Sequence, residues 1–568
     1  MDRSNPVKNY LRLSLLCLAA ALPSFAAPTI TQILNNYGLL PDGAPNYGIA
    51  QGSIAIIKGA ELSDRSTGLQ TTYPLPTTLE GVTVDITVNG VTKRAILYYV
   101  LPVQLAFIVP SDTPVGTGTV KVTNNGKVVT APITITKSGF GVLTLNGAGS
   151  GPVGATFNGT ANFVLNTNAA NPNDFIVFWG SGVGGTTLDE RNLANSGQDM
   201  KSTQNVQLWL GSQLAEVLYA GTSQFPGLNQ IVIKVPNVTG SAASTFYGCY
   251  VSVVVVSNGV PSNFGSIPIA QSGRTCTDSS TALSPDQVQT LNTKGTLAVG
   301  VVQVGKTSTT TPGISIPGVP SGIDIPGLSG GTTVTDDASG FFIRYTPQSY
   351  AGNLVQTTSY GSCVVITSVP TSGVIPTSPT YLDAGAALNL AGPAGTAQLP
   401  KQTQFGLFYG LTDSLPTGFI PTAGGNFTFT GPGGKDVGAF TTTLTVPPTF
   451  TWTNQSSIAS SGVTRASGVT VNWTGGPSGG FMQITGSSSD GKVFGSFTCT
   501  APVSAGTFAV PPPVTLSLPA SVSTAGISTA SLSLSVNTNP VAFSPTPSGL
   551  DYAYKTAYFD INQTLSYK

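Results

Sequence analysis

The sequence predicts an all-β protein: tandem immunoglobulin-like β-sandwiches followed by a larger β-rich C-terminal domain. Three observations predict it. First, 68 Gly and 42 Pro break helices, while the abundant Thr and Val favour a pleated surface. Second, short runs of alternating apolar residues are punctuated by turn signals at roughly ten-residue spacing. Third, one block of motifs occurs twice in the same order. A chain of 568 residues exceeds a single core and predicts two to four domains. Charged residues make up 8% of it, against roughly 25% in typical soluble proteins. Ser, Thr, Asn and Gly must therefore supply the polar surface, and the Val, Ile, Phe and Tyr runs bury enough apolar area to offset chain entropy.

Taking the elements in order, Arg3, Lys8 and Arg12 precede the apolar run Leu13 to Leu22. Ser24 and Ala26 then place small residues at −3 and −1 of a cut after Ala26, the pattern of a secretory signal peptide over residues 1–26. The run is shorter than the ~20 apolar residues a membrane span needs. Cys17 follows Leu15 and Leu16 instead of a small residue, so a lipoprotein cut is not expected there. No later stretch is long enough to cross a membrane. Signal removal leaves 20 Lys and Arg against 22 Asp and Glu, a nearly neutral chain without the basic footprint of a nucleic-acid or anionic-lipid binder.

The repeat defines two modules, 27–140 and 141–277. The first copy reads Val84 to Gly90, then Ile96-Leu97-Tyr98, then Gln104 to Pro110. The second reads Val206 to Gly211, then Val217-Leu218-Tyr219, then Gln230 to Pro236. Upstream, Gly52 to Gly59 corresponds to Asp174 to Gly180. Downstream, the turn at Asn124-Asn125-Gly126 corresponds to that at Asn258-Gly259, where Asn-Gly supplies the positive φ of a tight hairpin. The order Tyr, Gln, Pro marks a core tyrosine and a following strand, closed by Pro110 and Pro236.

With Leu75 to Val84 and Val217 to Gly221 added, these motifs resemble an uncharacterised duplicated immunoglobulin-like module common in secreted acidobacterial proteins. The resemblance covers roughly residues 28–272 and implies a fold and a secreted setting, without an activity. The chain departs from the pattern at Ala50-Gln51-Gly52, where the module usually has Ala-Pro-Gly, and in carrying a usually C-terminal module at its N-terminus.

Residues 278–568 form the third predicted domain. Thr296 to Val304 reads as a strand, and residues 306–335 are rich in Gly, Pro, Ser and Thr, with Pro-Gly at 312, 317 and 326. This is a linker or a long loop from the domain itself. Further strands are expected at Phe341–Tyr345, Phe405–Tyr409, Phe427–Thr430, Val437–Val446, Val469–Trp473, Phe481–Thr485 and Val493–Phe497.

Four cysteines survive signal removal: Cys249, Cys276, Cys363 and Cys499. In an oxidising compartment an even number predicts two disulfides. Chain order favours Cys249 with Cys276 and Cys363 with Cys499, although three pairings are open. A zinc site lacks a CxxC pair and any histidine.

The absence of histidine removes the commonest general base, triad partner and metal ligand together. Paired carboxylates remain as a route to glycoside hydrolysis, but Asp189, Glu190, Asp336, Asp337, Asp383 and Asp436 lie in turn-like contexts. Asp336-Asp337 is the tight acidic pair nearest a calcium ligand set and lacks a repeated Asp-x-Asp pattern, so no metal or other cofactor is expected. Gly180 to Gly185 fits GxGxxG without a predicted helix to face a pyrophosphate. Gly431 to Lys435 resembles a phosphate loop but has Phe429 and Asp436 where Gly and Ser or Thr are required.

Alternation places Trp473 with Val469 and Val471, and Trp452 with Phe450, towards the core. Trp209 instead shares a face with Gln207, opposite Leu208 and Leu210, and is the candidate ligand contact unless a neighbouring domain covers it. The expected function is an exported, non-enzymatic structural, matrix or adhesion protein. Its expected partners are envelope or matrix polysaccharide or another surface protein. The alternative is a carbohydrate-binding protein that uses exposed aromatics on a β-sandwich.

Overall fold

Alternation decides the strands. In Ala530-Ser-Leu-Ser-Leu-Ser-Val-Asn537 every second residue is buried, which commits Leu532, Leu534 and Val536 to a core and the serines to the opposite face. The computed structural model describes residues 27–278, 285–311, 331–354, 357–368, 378–403, 406–524 and 527–568. The signal peptide, the Pro-Gly repeats at 312–327 and Phe405 lie outside the described residues.

The first module contains β1 Thr29–Asn35, β2 Ile49–Ala50, β3 Ile54–Ala60, β4 Val82–Val88, β5 Val91–Arg94, β6 Ile96–Val100, β7 Gln104–Ile108, β8 Gly116–Asn124 and β9 Lys127–Thr136. One sheet has the order β1-β3-β7-β6 and the other β2-β9-β8-β4-β5. That is the A-B-E-D and A′-G-F-C-C′ arrangement of an immunoglobulin sandwich, with β2 parallel to β9. Ile57, Leu105 and Phe107 meet Val84, Ile86, Val120 and Val122 in its core.

The second module contains β10 Gly141–Val142, β11 Ala155–Phe157, β12 Phe175–Ser181, β13 Gln207–Leu210, β14 Gln213–Thr222, β15 Asn229–Lys234, β16 Gly248–Ser257, β17 Val260–Pro261 and β18 Gly265–Ile269. Here the counterparts of β5 and β6 fuse into β14, which pairs β13 at its start and β15 beyond it. One strand thus passes between the two layers and joins them into a single nine-stranded sheet.

Register corrects the repeat in one place. The bulge in β6 lies opposite Phe107 and Ala106, and that in β14 opposite Ile233 and Val232. These are equivalent positions counted from Gln104 and Gln230, so the counterpart of Tyr219 is Tyr99, not Tyr98. An unpaired bulge residue is invisible to motif spacing.

The remaining strands are β19 Leu297–Thr311, β20 Gly331–Tyr345, β21 Ser362–Ser368, β22 Thr380–Tyr381, β23 Ala387–Gly392, β24 Gly395–Gln402, β25 Phe408–Gly410, β26 Gly425–Gly431, β27 Phe440–Val446, β28 Phe450–Trp452, β29 Val469–Gly475, β30 Phe481–Ser489, β31 Phe494–Pro502, β32 Thr507–Val510, β33 Ser523–Thr524, β34 Ile527–Ser528, β35 Ala530–Asn537, β36 Val541–Ala542 and β37 Tyr552–Leu565. Their main sheet runs β21-β31-β30-β35-β37-β19-β20 and on through β25, β24, β23, β26 and β27.

Of the two readings of residues 306–335, linker or long loop from the domain itself, the described ends fit the long loop. β19 and β20 pair without a break from Leu297↔Tyr345 to Thr311↔Gly331, so Lys306–Thr311 and Gly331–Thr335 are the arms of a long hairpin. Parallel pairing of β19 with β37 holds that hairpin within the sheet.

Candidate functional site

Trp209 lies opposite Val254 on neighbouring strands. It projects from the outer face of the second sandwich, as alternation requires. That face is covered: Trp209 and Val254 both pack against the core of the C-terminal unit, and the indole Nε1 is buried without a hydrogen-bond partner. The expected ligand contact is therefore corrected to a contact between units. The signal that reveals this is Cys249 to Val256, an apolar run without alternation. β16 is buried along its whole length, as a strand covered on both faces must be.

The same junction is tied by side chains. Ser362 Oγ accepts from Ser252 N at 3.1 Å, Ser252 Oγ accepts from Cys363 N at 3.2 Å, and Ser359 Oγ accepts from Tyr250 N at 2.8 Å. The two disulfides bracket it. Cys249–Cys276 closes the end of the second module, and Cys363–Cys499 joins directly opposed residues of β21 and β31.

Between the two sandwiches, Asn35 Nδ2 donates to Ser181 O at 3.0 Å, and within the first it donates to Gly139 O at 3.1 Å. Glu190 accepts from Ser111 N at 2.9 Å and Ser111 Oγ at 2.7 Å, and burial raises its pKa. Tyr98 donates to Pro226 O across the same contact. The GxGxxG run sits here too. No helix follows it, and a Cβ on Gly182, at φ +103°, would lie 2.4 Å from Gly139 O. Close approach of two backbones, not a phosphate, accounts for that glycine.

The acids are dispersed. Asp189 caps the turn at Arg191 N at 2.9 Å. Asp383 accepts from Gly385 N and Lys401 Nζ at 2.8 and 3.0 Å, and the Gly385 bond leads in lowering its pKa. Asp436 Oδ2 accepts from Asp383 N at 3.0 Å beside the Gly431–Lys435 segment, a turn between β26 and β27. Asp336 is buried against Lys306, whereas Asp337, on the opposite face of β20, accepts from Tyr558 at 3.4 Å. Among the described residues no three His, Cys, Asp or Glu side chains group to hold a metal, and no helix is long and apolar enough to cross a membrane.

Two features escape motif reading. The outer face of the C-terminal sheet carries ranks of hydroxyls and amides: Thr498, Thr485, Ser533, Asn562, Thr309 and Thr333 stand side by side on six strands. Beside them the Tyr558 ring lies over Gly305, where a Cβ would come within 1.9 Å of the ring. Asp560 is on the same face, bonded to Ser533 and Asn562, and burial raises its pKa. The second feature is a crevice of about 130 Å³ where all three units meet, lined by Asn46, Asn263 and Thr367 among others. Asn46 Oδ1 is buried there without a partner.

No family model matches the chain, and no curated protein does. Solved structures with partial likeness include a protein of unknown function from Bacteroides thetaiotaomicron, at 13% identity over 42% of this chain and 49% of that one, with a TM-score of 0.14. A tetra-tandem repeat in the extending region of a large adhesion protein aligns at 12% identity over 95% and 99%, with a TM-score of 0.13. The S-layer protein rSbsC aligns at 10% identity over 95% and 54%, with a TM-score of 0.15. The chain spans about half the length of the first and third of these. At scores this low the likenesses carry no argument about function.

Proposed function

We propose that the protein is an exported, non-catalytic structural, matrix or adhesion protein in which the two sandwiches form a fixed stalk for the broad C-terminal sheet. The observation that carries this reading is the pair of bonded junctions. Inter-domain contacts are mobile by default, whereas here side chains of one unit satisfy backbone groups of its neighbour at both junctions. A fixed spacing of units suits a load or display role. The disulfides suit an oxidising compartment, and the likeness of residues 28–272 to a duplicated secreted module belongs to the same proposal.

A second reading, carbohydrate binding, is favoured by the hydroxyl and amide face with the Tyr558 ring beside it. Sugar rings stack on aromatic faces, and their hydroxyls exchange hydrogen bonds with neutral polar groups. The test is retention of purified residues 27–568 on envelope fractions, matrix fractions and a polysaccharide panel. Retention on envelope or matrix is expected. Saturable retention on one glycan, lost in Tyr558→Ala and kept in Trp209→Ala, moves the assignment to the second reading. Turnover of any polymer that disappears on changing one Asp or Glu overturns the non-catalytic assignment.

A further inference from the structure

Lys306 and Asp336 stand directly opposite each other on β19 and β20. They project to the core side of the sheet, next to the fully buried pair Val304 and Ala338 and the buried Phe559. The lysine side chain is 12% exposed and the aspartate 1%. Nζ touches Oδ1 at 2.5 Å, and Oδ1 has no other polar partner. The other oxygen, Oδ2, accepts from Ile420 N at 3.0 Å. Among the described residues neither group has a second ionic partner. Two opposite charges removed from water, with Oδ1 facing the ammonium alone, form an arrangement whose desolvation cost the Coulombic gain offsets poorly.

We propose that this pair closes an intramolecular isopeptide bond. The ammonium first gives one proton to Oδ1, the resulting amine nitrogen Nζ attacks Cγ, a new N–C bond forms, and the C–Oδ1 bond breaks as a second proton follows the first. Two of the three ammonium protons depart with Oδ1 as water, the third stays on the amide nitrogen, and the two charges cancel. No oxidant, reductant or co-reactant is required. Ile420 N–H faces Oδ2, the oxygen retained, and so stabilises the negative charge that gathers there in the tetrahedral intermediate. Oδ1, which faces the ammonium and takes its protons, is the oxygen released. The core exchanges an ion pair for a neutral amide, and the water is lost to bulk solvent. The bond ties the two arms of the long hairpin near its Thr-rich end, independently of redox conditions.

Peptide mapping tests this on the full mature chain, reduced, alkylated and denatured before digestion with trypsin. Trypsin requires a free lysine side chain, so the cross-link keeps residues 295–344 together in one product lighter than its sequence by one water. Fragmentation then finds no break between positions 306 and 336. That product is expected to predominate in the wild type and to be absent in Asp336→Ala, where cleavage after Lys306 returns. Asp336→Asn is expected to give the same closed product by loss of ammonia. Wild-type peptides that end at Lys306 and begin at Thr307, at full mass, overturn the proposal. That result reads a covalent bond in denatured chain, so it stands whether or not a variant folds.

Discussion

Glu190 places a carboxylate inside the contact between the two sandwiches, with Ser111 as its bonded partner. Burial raises its pKa above the ordinary 4.5, and the Ser111 bonds offset this only in part. The folded chain therefore holds a proton at a pH where the unfolded chain has already released it. By linkage, the folded state is favoured most below that ordinary value, and the benefit is lost as pH rises through the raised one. Glu190→Gln keeps an acceptor for Ser111 N and offers a donor to its hydroxyl, without the charge. Thermal melts from acid to neutral pH are expected to superimpose at the acid end, with the variant the more stable towards neutrality. Parallel curves throughout would show that the carboxylate is solvated in solution.

Within elements, how much was legible depends on where the partner strand lies in the sequence. β35 announces itself because its burial alternates, and Trp452 and Trp473, opposed on β28 and β29, are core residues as their faces require. The hydroxyl arms of β19 and β20 read as a linker or a long loop because Thr307 to Thr311 carries no apolar period. Their order comes from pairing with β37, some 250 residues away in sequence, which local pattern cannot reveal. Trp209 was placed on the correct face, but what covers that face is a property of a different domain. The cysteines were legible as pairs because each pair closes within one unit. Cys363–Cys499 spans 136 residues and Cys249–Cys276 spans 27. Loop-closure entropy makes the longer bridge worth about 1.4 kcal/mol more, with removal of either costing about 2–5 kcal/mol. Urea unfolding of the two Cys→Ala double variants is expected to show that order. The reverse order would mean that the unfolded C-terminal chain is already compact.

At the scale of the molecule, the junction between the sandwiches decides whether they behave as two bodies or one. Asn35 reaches across it with one end of its amide, and the other end fixes its own turn in the first sandwich. Its Nδ2 serves Gly139 O and Ser181 O, and its Oδ1 accepts from Tyr37 N and Gly38 N at 2.9 and 3.1 Å. Ser181 Oγ in turn accepts from Ile54 N at 2.8 Å and donates to Gly227 O at 2.6 Å. Neither sandwich can leave without stranding Ser181 O and Ile54 N. Calorimetry is therefore expected to give one transition for the two sandwiches. Asn35→Ala removes all four bonds, one of them across the junction, and should lower stability by several kcal/mol, at ~1–3 kcal/mol for each polar group left buried and stranded. Asn35→Asp keeps the shape but turns a carboxylate towards two carbonyl oxygens, so it should be the more damaging and should split the transition into two. An unsplit melt at the wild-type temperature in both variants would locate the coupling elsewhere, in the apolar contact of Gly227 with Ile54 and Ile108.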